Sequence, residues 1–378
     1  MIEGILFILY GVVAAALVMG AYRLHFALTH FKMKQLLSIP RMLEDLPSVS
    51  VCIPARNESH AMTECLQRVI ASTYPKLEII VHDDMSGDGT SSLIKAFAQD
   101  GVRFVQGEPL PEGWLGKNHA IHHLLRESSG TYVLFMDVDT RISKETIGQL
   151  VAYAQQEGAK MVSVLPRRED GFRASTVFAP LRYFWTLLFH RKDAPAVASN
   201  AWMIDRRDFI ATTHDFSSLR AVVQPEATLA AQYAADGLYR FLIGTSLLGM
   251  TYEKKWRSQI QTSIRLLYPL LGAKTAYSLF VVLDLMILLL PVVVVLSGFF
   301  IGWSYAHLTA GILVLGYALL YGIYLKHVSR RGWIVSALFW PALILQEIIL
   351  ISMSAVQYRR HAVTWKGRKV QLPPVETL

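Results

Sequence analysis

The run Tyr132-Val133-Leu134-Phe135-Met136-Asp137-Val138-Asp139 decides the fold. Its first five residues are uninterrupted β-branched, aliphatic and aromatic side chains with no helical spacing. Such a run reads as a strand covered on both faces, and it ends abruptly in carboxylates. Upstream, Val49-Ser50-Val51-Cys52-Ile53 and Leu77-Glu78-Ile79-Ile80-Val81 read as further strands, and residues 102–105 as another. Residues 63–72, 91–99 and 119–126 between them carry helical spacing. Strands alternating with helices of this length predict an α/β fold with a doubly wound sheet. Ligands of such sheets sit beyond the carboxyl ends of the strands, where Asp83, Asp84, Asp137 and Asp139 fall. Residues i and i+2 of a strand share a face, so Asp137 and Asp139 are expected to converge. Paired hard oxygen ligands suit Mg²⁺ or Mn²⁺, which bind one or two carboxylates plus substrate phosphates. The plain alternative is a solvated acidic turn.

The rest of the chain has a different character. Of its 378 residues 53% are hydrophobic and only 17% charged, against about a quarter charged in soluble domains. The apolar runs lie at the two ends. Residues 2–24 are long enough to span a bilayer, and Met1-Ile2-Glu3-Gly4 lacks the basic start of a signal peptide. This segment therefore reads as a retained anchor, with Arg23, Lys32, Lys34 and Arg41 placing its far end in the cytosol. Residues 277–303, 307–325 and 333–358 are the other apolar segments. Between the last two lies a basic linker from Lys326 to Arg331. A full fourth span would carry the basic tail (Arg359, Arg360, Lys366, Arg368, Lys369) outside. A re-entrant hairpin broken at Pro341 would return it to the cytosol, and this is the expected arrangement. Residues 177–189 and 238–272 mix aromatic, apolar and basic residues and read as helices at the membrane surface.

The domain reading is an anchor and linker over 1–46, an α/β domain over 47–237, interfacial helices over 238–275, and membrane segments with a basic tail over 276–378. The net charge of +8 suits lipid headgroups and topology signals better than nucleic acid, because the basic clusters flank apolar segments. Cys52 and Cys65 have no metal-ligand spacing and read as free thiols in a reduced compartment. His119, His122 and His123 lie on one helix without an obvious third ligand and are assigned no role.

The motifs in order, VSVCIPARNE, VHDDMSGDGT and FMDVDT, resemble those of family-2 glycosyltransferases with the GT-A fold. The similarity extends over residues 48–240. The run from Leu110 to Ala120 looks like the P-x-G-W-x-G-K loop of membrane-bound lipid glycosyltransferases, as in carotenoid-acid and hopanoid-associated members. Val363-Thr364-Trp365-Lys366-Gly367-Arg368 is similar to their closing W-K-G-R. The resemblance implies a GT-A mixed sheet, with Asp84 and its neighbour Asp83 at the nucleobase. Pro54, Ala55 and Glu58 would surround the nucleoside, and Lys117 would lie near the diphosphate. Asp137 and Asp139 would serve the divalent metal and donor phosphates, with Asp139 the direct ligand. Trp114, Asn200 and Trp202 fall on the acceptor or diphosphate side.

The family's catalytic base usually sits in a Glu-Asp pair opening a helix. Here that place reads Gln224-Pro225-Glu226-Ala227, so Glu226 is the assigned base, with Asp215 and Asp236 as alternatives. An intact Gln/Arg-x-x-Arg-Trp motif of processive synthases is missing. Arg257, Gln261 and Arg265 stand where it would be and could serve the leaving diphosphate or lipid headgroups. The expectation is a non-processive, inverting transfer of sugar from a nucleotide donor, taken as UDP-linked, to a lipid acceptor at the cytosolic face. Transfer to polyprenyl phosphate is the nearest competitor within the class. A nucleotidyltransferase would need a Gly-rich, cation-bearing phosphate loop, which Ala55-Arg56-Asn57-Glu58 is not. A non-catalytic scaffold would have no reason to keep every carboxylate.

Overall fold

The computed structural model describes residues 2–37, 46–169, 173–213 and 215–370; Arg41 lies outside them. Helix α1 (Ile2–His30) leads into the α/β domain. Strands β1 (Val49–Ala55), β2 (Leu77–Asp83), β3 (Val102–Gln106), β4 (Tyr132–Met136), β5 (Thr140–Ile142), β6 (Met161–Leu165), β7 (Arg167–Arg168), β8 (Ala201–Asp205), β9 (Tyr239–Ile243) and β10 (Met250–Tyr252) form two sheets. The helices between them are α2 (Ser59–Ile70), α3 (Thr90–Ala96), α4 (Gly116–Glu127), α5 (Thr146–Gln156), α6 (Ala174–Val177), α7 (Arg182–Phe189), α8 (Arg206–Thr213) and α9 (Pro225–Ala235).

The main sheet has the order β3-β2-β1-β4-β8-β6-β9. Strand β8 runs antiparallel to both β4 and β6, and the other pairs are parallel. The sheet is therefore mixed, as GT-A folds are. Chain order reverses at β1, which pairs with β2 on one side and β4 on the other. The crevice beyond the ends of β1 and β4 is thus the switch point where doubly wound sheets bind ligands.

Strand alternation explains the two cores. Val49, Val51, Ile53, Leu134 and Met136 pack on one face with Met62, Leu66 and Val69 of α2. Cys52, Val133, Phe135 and Trp202 pack on the other with Ile121 and Leu124 of α4. That second core is continuous with the apolar helices through Leu187 and Leu188 of α7.

The boundary expected at residue 237 is displaced. Residues 239–243 form the edge strand β9, and β10 joins β5 and β7 in a second, three-stranded sheet. Only α10 (Trp256–Leu270) within residues 238–272 is an amphipathic helix, with Thr262, Leu266 and Leu267 on its buried face. The sequence pattern misled because short edge strands also mix apolar and basic residues.

Four helices among the described residues are long and apolar enough to cross a membrane: α1, α11 (Thr275–Ile301), α12 (Tyr305–Val328) and α14 (Trp340–Arg359). Helices α1 and α12 lie together. The Tyr317 hydroxyl donates to the Val13 carbonyl at 2.9 Å, and Leu17 packs where a Cβ on Gly316 would stand, 2.5 Å away.

The last apolar segment does not run straight. It breaks at Phe339 between α13 (Trp333–Leu338) and α14, with Pro341 in the first turn of α14. Ser336 bonds the Thr176 carbonyl (3.4 Å), and Gln346 bonds the Phe178 carbonyl (3.2 Å). Helices α13 and α14 thus both meet one short stretch of the α/β domain. Beside the break Trp340 donates to the Val314 carbonyl near the middle of α12 (3.1 Å). The described residues then close in a small β-ribbon, β11 (Thr364–Trp365) and β12 (Arg368–Lys369), on the same side as the main sheet.

Candidate functional site

A cavity of about 760 Å³ opens at the switch point. Three successive strand exits build it. The β1 exit supplies Pro54 and Ala55, then turns through Asn57 at a positive φ of 52°. Asn57 accepts from the Gly87 amide (2.8 Å), and the Glu58 amide donates to Thr90 (2.9 Å), so the loops after β1 and β2 are stitched together. Asp84 is anchored by its own amide on the Ala55 carbonyl (2.8 Å). Burial pushes its carboxyl above the usual range, against the opposing pull of Arg368.

The β4 exit supplies Asp137 and Asp139. They do not converge by strand pleat as expected, because β4 ends at Met136 and the Thr140 amide closes a turn on the Asp137 carbonyl (3.0 Å). The turn still brings both to the cavity wall, with different partners. Asp137 takes the Lys117 ammonium at 2.6 Å. Burial works against the charge on Lys117, yet Asp137 and Glu226 outweigh it and hold its pKa above the ordinary value.

Asp139 has one oxygen 3.6 Å from Lys254, while its buried Oδ1 has no hydrogen-bond partner. Burial raises the Asp139 carboxyl, and Asp137 and Glu58 add to the rise against Lys254 and Lys117. A buried carboxylate oxygen without a donor is costly, and a cation is what would satisfy it. No set of three acidic, histidine or cysteine side chains among the described residues could hold a metal alone. The donor set fits a hard ion that takes a carboxylate here and its other ligands from substrate phosphates and water.

Glu58, Trp114, Asn200, Gln261 and Arg265 also line the cavity. Asn200 accepts from the Tyr183 hydroxyl (2.5 Å), which itself accepts from Arg182 (2.7 Å). Arg265 stacks over Trp365 at 4.3 Å, has an unpartnered Nε, and is lowered in pKa by burial. Glu226 opens α9 behind the wall: it is buried and accepts a hydrogen bond from Ser199, which does line the cavity. Asp215 and Asp236 are exposed and line no part of it.

Three expected residues stand elsewhere. Asp83 accepts from the hydroxyls of Ser86 and Ser91, so it shapes the loop and leaves the ligand position to Asp84. Trp202 is buried in the core, its ring centroid 4.3 Å from that of Phe135. It pairs with Phe135 across β8 and β4, and so faces α4 rather than the cavity. Arg257 is exposed on the outer face of α10.

Sequence reasoning missed Arg182 and Tyr183, hidden within a stretch read only as amphipathic. It also missed the tail cations. Arg368 contacts both carboxylate oxygens of Asp84 at 2.6 and 2.8 Å, and Lys366 pairs with Glu58. His119, His122 and His123 of α4 pack with His82 and Trp114, and none of the four histidines lines the cavity.

A mixed doubly wound sheet with carboxylates at three strand exits around one switch-point cavity is a GT-A fold. Residues 50–208 match the family described as Glycosyl transferase family 2, and the chain carries a domain of that family. A probable glycosyltransferase of Bacillus subtilis, YdaM, is 34% identical over 113 residues, 29% of this chain and 27% of that protein. The 4,4'-diaponeurosporenoate glycosyltransferase of Staphylococcus aureus is 26% identical over 202 residues, 50% of this chain and 52% of that protein. The chain thus spans between about a quarter and half of these relatives' lengths. The mannosyltransferase PcManGT of Pyrobaculum calidifontis, solved with GDP-Man and Mn²⁺, superposes with a TM-score of 0.55. That match covers 94% of this chain and 98% of the other at 18% identity, a likeness of fold.

Proposed function

We propose that this chain is a membrane-embedded, non-processive inverting glycosyltransferase that moves a sugar from a nucleotide donor, UDP-linked, to a lipid acceptor. The observation that carries the reading is the cavity itself. It gathers Glu58, Asp84, Lys117, Asp137 and Asp139 around the strand ends and is lined by α10, which packs on the apolar helix α14. The name of the Staphylococcus aureus relative, for a glycosyltransferase of 4,4'-diaponeurosporenoate, supports a lipid acceptor.

In this mechanism Asp84 and Glu58 accept from the base and ribose. Lys117 balances charge on the diphosphate and is itself oriented by Asp137. A divalent metal at Asp139 would act as a Lewis acid on the departing diphosphate. Glu226 takes the proton of an acceptor hydroxyl as its oxygen attacks the anomeric carbon from the face opposite the leaving group. Ser199 holds Glu226 until the acceptor arrives, since such contacts often realign only in the loaded complex. A carboxyl or phosphate acceptor is already ionised and needs no base. Basic residues flank the domain-side ends of α1, α12 and α14, and the positive-inside rule makes this support for a cytosolic catalytic domain.

The test is mass spectrometry of lipids from cells with and without the chain, followed by transfer assays in nanodiscs with UDP-sugars and Mn²⁺. A new glycolipid that disappears with the chain supports the reading. Unchanged lipids, together with no donor turnover in nanodiscs, would remove it.

A further inference from the structure

The two carboxylates assigned to the nucleoside are held by the chain's own C-terminal ribbon. Lys366 pairs with Glu58 and donates to the Arg56 carbonyl at 2.7 Å, while Arg56 Nε donates back to the Lys366 carbonyl at 3.1 Å. Arg368 takes Asp84 through Nη1 alone. Its Nε and Nη2 have no partner among the described residues, and the side chain lines the cavity.

The seat is built for this contact. A Cβ on Gly116 would stand 2.9 Å from Arg368 Nη1 and 3.1 Å from Asp84 Oδ2, so the glycine leaves the room the pair needs. The ribbon is stiff at its tip and anchored at its base. Lys366 and Gly367 form a two-residue turn at positive φ, 48° and 80°, the geometry that closes tight hairpins. Val363 and Val370 pack with Tyr268 and Tyr358, against Leu115, which caps the helix α4 that carries Lys117.

Charge decides what the ribbon does. Without it, Glu58 and Asp84 would face an incoming nucleoside diphosphate as bare carboxylates and repel it. With it, each is neutralised while still able to accept from a base or ribose, because a carboxylate has about four acceptor sites. The ribbon walls the cavity and does not fill it, since about 760 Å³ stays open beneath. That volume is in the range of small-molecule sites.

We infer that residues 364–369 are a lid on the donor pocket, in which Arg368 and Lys366 aim Asp84 and Glu58 at the nucleoside. The spare guanidinium N–H groups of Arg368 meet the donor's anionic oxygens. The inference rests on the nucleotide-sugar reading above and adds to it two donor-binding residues from the far end of the chain.

The full-length protein in nanodiscs, with UDP and UDP-glucose plus Mn²⁺ as probes, tests it. Arg368→Ala and Lys366→Ala are expected to weaken UDP binding at least ten-fold and to raise the donor KM with the acceptor KM unmoved. Arg368→Lys should recover part of the loss. Gly116→Ala, which leaves every charge in place, should weaken UDP by displacing Arg368. UDP with Mn²⁺ should also slow tryptic cleavage after Lys366 and Arg368 in the wild type. Variants that bind UDP within two-fold of the wild type overturn the lid while leaving the enzyme reading intact. Tighter UDP binding by Arg368→Ala, with faster tail cleavage on adding UDP, overturns it in favour of an inhibitory plug. A wild type that binds neither probe, nor GDP-mannose, sinks the lid and the nucleotide-sugar reading together.

Discussion

The Tyr358 hydroxyl donates to the Arg265 carbonyl at 2.6 Å, filling the vacancy that Pro269 creates in α10. A proline has no N–H, so the carbonyl four residues before it loses its helical donor. One turn back, the Ser354 hydroxyl inserts between the Tyr268 amide (3.0 Å) and the Ile264 carbonyl (2.5 Å). Two hydroxyls of α14 thus complete the backbone of α10 and hold α14, and the ribbon after it, against the helix that carries Arg265.

Tyr358→Phe and Ser354→Ala should each destabilise the protein by about 1 kcal/mol, the net worth of a buried hydrogen bond. The double variant should depart from the sum because the sites adjoin. Thermal unfolding in one fixed detergent measures this. Unchanged midpoints would mean that α10 and α14 are held by apolar packing alone.

Asp139→Asn removes a buried charge whose Oδ1 has no partner. It should abolish Mn²⁺ binding in the presence of UDP, read by calorimetry or spin resonance, and cut transfer on the order of 100-fold or more. The same change should leave the metal-free protein as stable or more stable, because an uncompensated buried charge is costly. Undiminished Mn²⁺ binding would move the metal elsewhere.

The acid limb follows from the raised Asp139 carboxyl, lifted chiefly by burial. Only the ionised form binds metal, so Mn²⁺ affinity should fall as pH drops through a value above the ordinary 3.8. For stability the sign is opposite. With the native pKa raised, the contribution of the neutral acid is complete below 3.8 and lost as pH rises through the native value. Denaturant titrations of wild type and Asp139→Asn across that window should differ in slope, the wild type losing more stability than the variant as pH rises.

Glu226→Gln should lower transfer to an alcohol acceptor by about 10²–10⁴-fold, the usual range for a general base. UDP binding should be unchanged. Ser199→Ala, which removes the hydrogen bond to Glu226, should shift the pH profile of kcat and leave the donor KM alone. If Glu226→Gln turns over an alcohol normally, the base is another group. If activity survives only with an ionised acceptor, Glu226 is the base and that acceptor does not need it.

The strand-helix alternation up to β4, the acidic strand exits and the apolar segments were all legible, because each depends on near neighbours in the chain. β4 itself, Tyr132–Met136, is bounded as its residues read. Asp84, Asp137 and Asp139 could be picked out because strand ends in a doubly wound sheet share one crevice, whereas Lys117 came only from the family resemblance. The strand-like spacing of Asp137 and Asp139 pointed to the right cavity for the wrong reason, since a turn and not the pleat brings them there.

What only the tertiary structure decided involves partners far apart in sequence. Arg368 and Asp84 are separated by 284 positions, and Lys366 and Glu58 by 308. No local pattern encodes which cation meets which carboxylate. The same holds for Trp202, whose face is set by pairing with β4, and for the final apolar segment. Composition left open where that segment breaks, and the contacts of Ser336 and Gln346 tie both its helices to one short stretch of the α/β domain. The sequence alone determined a strand-end acidic site beside membrane helices. Packing added the lid, because the ribbon reaches the site only when α14 is seated on α10.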